Sequence, residues 1–398
     1  MTRAAELRRF VHASTGAMLE DLEQFVRIET PSDDRPSLDA GADWVRQWMD
    51  RRLGPPVSYR REPGGPHGDT LIVEHAGSGA GTSAEPVCIL GHYDTVWPVG
   101  TLESMPFDRT GDVLRGPGVF DMKAGLVQAV WALRALDQTG CPRPPVRWVI
   151  NGDEEIGSPA SRRHIEEQCR DAGAVLVFEP SADGAVKTAR KGIGTFDVTL
   201  TGAQAHAGLD PRAGASAISA LAELIQAAHG LADLDSGTSV NVGLVSGGSR
   251  HNVTAGSASA GIDVRVATAA EADRIDAALS AWGPSDPRVA VRLEGGWTRP
   301  VMARSAGIAR LFEQAADIAS GLGFGLGETA VGGASDGNFA AALGRPVLDG
   351  LGAVGDGAHS RQEHATVSGL TERTVLAAVL ISALAAVEEP GPRPSVRR

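Results

Sequence analysis

Leu22, Phe25 and Val26, and then Trp44, Val45, Trp48 and Met49, recur at the three- and four-residue spacing of a helix with one apolar face. Four short apolar runs follow, over residues 70–74, 87–90, 146–150 and 174–178, and each reads as a buried strand. Helical patterns over 123–136 and 158–169 alternate with the later runs. Strands that are apolar throughout, alternating with helices, predict an α/β fold with a mostly parallel sheet and helices on both faces.

The pattern changes after Lys191. Phe196, Val198 and Leu200 alternate with polar residues, as on a half-exposed strand. A helix through Ile218, Leu221, Leu224 and Ile225 comes next, then alternating strands at Val240/Val242/Leu244 and Ile262/Val264/Val266. A helix over 275–282 and a strand over 289–293 complete the order β-α-β-β-α-β, that of a ferredoxin-like module. Helices over 308–319 and 368–387 and a strand over 346–348 then resume the α/β pattern. The module therefore reads as an insertion. The expected organisation is a first catalytic part at 1–191, an inserted domain at 192–300, a second catalytic part at 301–389 and a flexible tail at 390–398.

Composition narrows the function. The 398 residues are 42% hydrophobic and 22% charged, which suits a globular chain with a large core. A formal net charge of −12 argues against nucleic acid or an anionic membrane as partner. Cys88, Cys141 and Cys169 are too few and too scattered for a disulfide framework or a thiolate zinc site. The charged N-terminus carries no signal-like apolar region, and the apolar stretch at 375–387 is shorter than the roughly 18 residues of a membrane span. These features predict a cytoplasmic protein.

Ligands of α/β sheets bind beyond the strand ends, so the residues following each apolar run carry the argument. His92 and Asp94 follow the run at 87–90, and Asp153-Glu154-Glu155 follow 146–150. Glu179 follows 174–178, Asp121 lies in the loop between the first two, and His359 ends a Gly-rich loop after 346–348. Acids gathered this way repel one another unless a cation sits among them. Imidazole and carboxylate oxygen both ligate zinc at about 2.0–2.2 Å, so two histidines and three carboxylates suit a pair of zinc ions. Asp94, on the same side of an extended strand as His92, is placed to orient its ring. Each residue alone reads as a capping or solvated group, and His12, His67, His75, His164 and His229 are assigned to surface or packing. The concurrence at separate strand ends favours metal.

Two rival motifs are weaker. Gly333-Ala334-Ser335-Asp336-Gly337 fits G-x-S-x-G, with Asp349 or Asp356 and His359 following in hydrolase order, but a glycine-rich stretch stands where the motif needs a strand. The run at 350–355 fits G-x-G-x-x-G, yet no βαβ unit follows it.

The set GHYDTVWPVGTL, GPGVFDMKAG, NGDEEIGS, FEPS, GAQAHAG and GLGAVGDGAHS resembles the zinc metallopeptidase family of bacterial glutamate carboxypeptidases. That family's relatives include aminoacylases, dipeptidases, acetylornithine deacetylase and succinyl-diaminopimelate desuccinylase. The resemblance implies two Zn²⁺ per chain, with Co²⁺ or Mn²⁺ as substitutes. It implies His92, Asp121 and Glu179 as ligands of one ion, and Asp121, Glu155 and His359 as ligands of the other. It further implies Asp94 as orienter, Glu154 as general base acting on a metal-bridging water or hydroxide, and His206 as the oxyanion donor of a lid. Asn252 and Arg265 match positions that hold a substrate carboxylate, and Gly332 and Gly333 a loop beside the site. The inserted domain becomes a lid and the surface of a homodimer. The implied reaction releases a C-terminal amino acid, with glutamate one candidate, from a peptide or N-acyl conjugate. An N-acyl-amino-acid deacylase or dipeptidase with the same metals is the alternative. Two departures stand out. Met122 follows Asp121 where the family has a second Asp, and the three lysines (Lys123, Lys187, Lys191) include no clear match for one that binds a glutamate side chain.

Overall fold

The computed structural model describes residues 2–79 and 82–385. The tail expected at 390–398, and the last two residues of the helix expected over 368–387, lie outside the described residues. The described residues form two compact units, one of residues 2–79, 82–188, 304–330 and 335–385, the other of Ala189–Ala303 and Val331–Ala334.

The first unit opens with helices α1 (Arg3–Val26) and α2 (Arg35–Leu53). Asp34 starts α2 by accepting the Ser37 amide at 3.0 Å. Phe25, Trp44 and Trp48 stack between the two helices at centroid separations of 4.8 and 5.3 Å. Such aromatic pairs add about 0.5–1.5 kcal/mol beyond the area they bury. Strands β1 (Ser58–Glu62), β2 (Thr70–His75) and β3 (Val87–His92) follow, then helix α3 (Thr101–Ser104) and short strands β4 (Asp108–Thr110) and β5 (Val113–Arg115). Next come α4 (Ala124–Thr139), β6 (Val146–Asn151), α5 (Arg162–Cys169), β7 (Ala174–Val177) and β8 (Val186–Arg190).

The second unit is built from β9 (Gly192–Thr201), α6 (Ala217–His229), β10 (Ser239–Gly247), β11 (Ser257–Val266), α7 (Ala269–Ala281) and β12 (Ala290–Arg299). Its strands lie in the order β10-β11-β9-β12, all antiparallel. Phe196, Val198 and Leu200 turn inward with Ile262, Val264, Leu221, Leu224, Ile275 and Leu279 to form its own core, while the alternate residues of β9 face out. Residues 331–334 belong to this unit although the sequence pattern does not include them. The Lys191 amide donates to Val331 O at 3.1 Å, and Arg190 Nη1 to the carbonyls of Gly333 and Ala334 at 3.2 Å.

Returning to the first unit, the chain adds α8 (Ala306–Leu322), β13 (Glu328–Val331), α9 (Gly337–Ala342), β14 (Val347–Leu348), β15 (Gly355–Asp356), β16 (His364–Thr366) and α10 (Val367–Ala383). The main sheet runs β1-β2-β6-β3-β7-β14. The pairs β6–β3, β3–β7 and β7–β14 are parallel, whereas β1 and β2 join antiparallel. Ile89 packs into the core shared with α1, α4 and α10, while the neighbouring Cys88 meets Cys169 of α5 at 3.6 Å. Helices therefore cover both faces. A second small sheet, β15-β16-β5-β4, sets the loop after β5 beside the loop before β16. The sequence pattern does not predict it, because its strands are two or three residues long and largely polar.

Candidate metal centre

Because β3, β6 and β7 are parallel, their C-terminal ends open at one edge of the sheet. His92 ends β3, Asp153-Glu154-Glu155 follow β6, and Glu179 follows β7. Asp121 reaches the same place from the irregular segment before α4, where the Asp121–Met122 peptide is cis. His359 arrives from the loop between β15 and β16, at φ +61°.

Asp121 lies between the two histidines. Its Oδ1 is 3.3 Å from His92 Nε2 and its Oδ2 is 3.4 Å from His359 Nε2. Glu179 Oε1 is 3.5 Å from His92 Nε2, and Glu155 Oε2 is 3.0 Å from His359 Nε2. Donor atoms of His92, Asp121 and Glu155 lie within 4.8 Å of one another, as do those of His92, Glu154 and Glu179. Distance alone therefore gives Glu154 the reach of either a ligand or a base. Met122, where the family has a second Asp, packs at the foot of the site with its sulfur 3.3 Å from the His92 amide nitrogen.

Asp94 ties the site together from below. It is fully buried, with Oδ1 3.4 Å from His92 Nδ1, and His92 Nδ1 is 3.0 Å from the Asp94 carbonyl. The Asp94 carboxylate also accepts the amides of Glu154 and Glu155 at 3.3 and 3.2 Å, and the Ser32 hydroxyl at 2.7 Å. One side chain thus orients a ring from β3 and fixes the loop after β6. The sequence pattern singles out its contact with His92. The two amide contacts and Ser32 are findings of the structure.

Protonation follows from this crowding. Burial disfavours the charged His92 ring, but Asp121, Asp94 and Glu179 outweigh it and hold the imidazole well above its ordinary value. Burial pushes the Glu155 carboxyl up to about 7, with Asp121 adding to the effect and His359 opposing it. Contacts with Asp121 and Glu155 raise His359 to about 10. Asp121, which burial would raise, is held low by His359 and His92. The cluster therefore shares protons where cations would serve better. His92 Nε2, Asp121 Oδ1 and Glu155 Oε1 are buried and make no hydrogen bond. Buried polar atoms are rarely left so, and nitrogen and oxygen donors converging at one point fit divalent metal.

The second unit carries the remaining sequence-predicted residues. His206 is exposed, and its Nδ1 accepts the amides of Gly208 and Leu209, both at 3.1 Å. That contact assigns the ring proton to Nε2, which is left as a donor. Capping of the following helix falls instead to Ser216, which accepts the Ser219 amide at 3.2 Å. Asn252 lies beside His206, its carbonyl accepting the Ala207 amide at 3.0 Å. Arg265 on β11 pairs with Asp263 through Nε and Nη2, at 2.9 and 3.1 Å. Gly332 and Gly333 are exposed.

Neither rival motif assembles a site. Ser335 is buried and donates to Asp349 at 2.5 Å, while His359 pairs with Asp121 and Glu155, so no Ser-His-Asp relay forms. At Gly352 a side chain would collide with the carbonyls of Phe178 and Glu179, so that glycine serves close packing of the chain.

Comparison with known proteins agrees with this architecture. Residues 88–383 match the family model described as peptidase family M20/M25/M40. Carboxypeptidase G2 of Pseudomonas sp. (strain RS-16) is 30% identical over 377 residues, 93% of this chain and 90% of that protein. Acetylornithine deacetylase of Myxococcus xanthus is 29% identical over 198 residues, 47% of this chain and 50% of that protein. Among solved structures, aminopeptidase PepT from Bacillus cereus superposes with a TM-score of 0.76 at 20% identity, over 93% of this chain and 99% of that one. A metallo-carboxypeptidase from Sulfolobus solfataricus does so with a TM-score of 0.69 at 16% identity, over 92% and 99%. The family match and the full-length relative agree on one conclusion: the chain belongs to peptidase family M20/M25/M40.

Proposed function

We propose that this peptidase-family hydrolase is a two-metal exopeptidase that releases a C-terminal amino acid from small peptides or N-acyl conjugates. The observation that carries the reading is Asp121 between His92 and His359, with unbonded donor atoms of His92, Asp121 and Glu155 facing one another. His92, Asp121 and Glu179 would hold one ion, and Asp121, Glu155 and His359 the other. When bound, zinc or a similar divalent ion polarises the amide carbonyl and acidifies water.

The chain's own groups supply the rest. Glu154 takes a proton from the attacking water on a carboxylate oxygen and returns it to the leaving amine. His206 offers Nε2–H to the carbonyl oxygen as charge develops there. The planar guanidinium of Arg265, with Asn252, binds the carboxylate of the departing amino acid, and Gly332 and Gly333 contribute backbone beside it. The full-length match to a protein named carboxypeptidase supports a free α-carboxylate on the leaving side. We further assign the protein to the cytoplasm and to a homodimer formed through its second unit. There the edge strand β10 exposes Leu244 and Val245, at 73% and 60% of their surface.

Substrate class is tested by comparing release rates from N-acyl-glutamate, other N-acyl amino acids and dipeptides with a free amino end. The proposal predicts kcat/KM at least about 10-fold lower when the C-terminal carboxylate is amidated, the cost of one lost charge-assisted contact of about 1.5–3 kcal/mol. Indifference to amidation would overturn it. Preference for dipeptides over N-acyl conjugates would favour the dipeptidase reading.

A further inference from the structure

The turn that presents Asp121 is held locally by the Val119 amide on Gly116 O at 3.2 Å, the Lys123 amide on Gly118 O at 3.0 Å and the Ala124 amide on Val119 O, and these bonds leave the Gly118, Phe120 and Asp121 amides to an outside partner. Glu363 is that partner, placed immediately before β16, the strand paired with β5 in the small sheet. It is fully buried, and its carboxylate accepts four N–H groups. Oε1 takes the amides of Phe120 and Asp121 at 3.0 and 3.1 Å. Oε2 takes the Gly118 amide at 3.0 Å and the Trp97 indole at 2.7 Å. A carboxylate is an acceptor with about four lone-pair sites, so the match of group to surroundings is complete. Gly118, at φ +72°, lets these amides converge as a nest for negative charge.

The position of Glu363 matters as much as its bonds. It precedes β16, whose His364 pairs with Arg115 of β5, so the segments 116–121 and 357–363 diverge from one rung of the small sheet. The first segment carries Asp121 and the second His359. The Glu363 carboxylate bridges them just beyond that rung, and Asp121 Oδ2 and His359 Nε2 then stand 3.4 Å apart.

We propose that Glu363 is a positioning residue of the metal centre: by gripping the Gly118, Phe120 and Asp121 amides from the strand that leads out of the His359 loop, it fixes Asp121 between the two histidines. The inference rests on the two-metal reading given above. Glu363 touches neither metal nor substrate, and it acts through Asp121.

Glu363→Gln is the informative variant. Glutamine keeps size and reach, but its NH₂ must face one of the two pairs of N–H donors, and those bonds are lost whichever way the amide turns. Zinc affinity is measured by chelator competition, and the cobalt-loaded protein by its absorption spectrum, for wild type, Glu363→Gln and Gln362→Ala. The last is a control on the same loop. In Glu363→Gln, zinc affinity falls about 10–100-fold and the cobalt spectrum changes. The same variant loses kcat by a similar factor while KM stays within about 3-fold of wild type. Gln362→Ala, at an exposed side chain, matches wild type. If Glu363→Gln does not fold, Trp97→Phe removes one of the four donors and still weakens zinc binding in the same direction. Wild-type affinity and spectrum in Glu363→Gln, or in Trp97→Phe where the former is unfolded, overturn the role given to Glu363 while leaving the two-metal reading intact. Failure of the wild type itself to bind metal overturns both.

Discussion

At the scale of single residues, the candidate site depends on carboxylates that each do more than one thing. Asp94 orients His92 and anchors the amides of Glu154 and Glu155, so its replacement loosens groups from two strands at once. Asp94→Asn is expected to lower metal affinity about 10–100-fold, as losses behind a metal ligand do, and unchanged affinity by chelator competition would count against this. Glu154 presents a choice between ligand and base. Glu154→Gln should retain full metal content and lose about 10²–10⁴-fold in kcat. Loss of metal along with activity would make Glu154 a ligand. A different residue sets an acid limit on stability. His75 is buried with neither ring nitrogen hydrogen-bonded, and burial lowers it from 6.5 to about 4. Above about pH 6.5 the ring is neutral in both folded and unfolded chains. Between about 6.5 and 4 the unfolded chain takes up a proton that the fold excludes, so stability declines as the pH is lowered, by up to about 3 kcal/mol, and levels off below. His75→Leu should flatten that part of a stability–pH curve measured by urea unfolding. An identical slope in the variant would remove His75 from the account.

At the scale of elements, the strand ends were legible because β3 and β7, and β6 apart from Arg147, are apolar up to the point where they turn polar at once. His92, Asp94, Glu154, Glu155 and Glu179 all sit at such transitions. Asp121 and His359 were legible as neighbours only through the resemblance and not from the hydrophobic pattern, since the small sheet that brings their loops together has strands too short to show a period. Strand β1 was hidden for a different reason. Its sequence SYRRE is polar because Arg61 reaches out to pair with Asp39, Asp43 and Asp69. Glu363 was invisible. It stands among Arg361, Gln362 and His364 like any solvated charge, and its partners, three backbone amides and the Trp97 indole, lie more than two hundred residues earlier. Close packing is similarly hidden until helix meets strand. Gly125, at the start of α4, lies so near the Phe178 carbonyl that an added Cβ would stand 1.9 Å from that oxygen. Gly125→Ala should cost about 1–3 kcal/mol in chemical unfolding, typical of overpacking, and an unchanged midpoint would contradict the packing described.

At the scale of the whole chain, the sequence pattern conveyed an α/β fold with an antiparallel unit in its middle and missed the antiparallel edge formed by β1 and β2. Among the described residues no helix is long and apolar enough to cross a membrane. With a net charge of −12, the chain needs local positive charge to attract an acidic substrate, and the cluster of carboxylates at the strand ends needs it most. The proposed homodimer predicts a sedimenting species of twice the chain mass, and Leu244→Glu on the exposed edge of β10 should shift it toward the monomer. A monomeric wild type would refute the dimer without touching the metal site. The central claim is that two divalent ions complete the site around Asp121. Metal content and hydrolysis of N-acyl-glutamate and a dipeptide panel, measured on one purified sample before and after chelation, test it most directly. The account predicts close to two metals per chain, activity lost to the chelator and activity restored by zinc. Hydrolysis that persists in metal-free protein would contradict it.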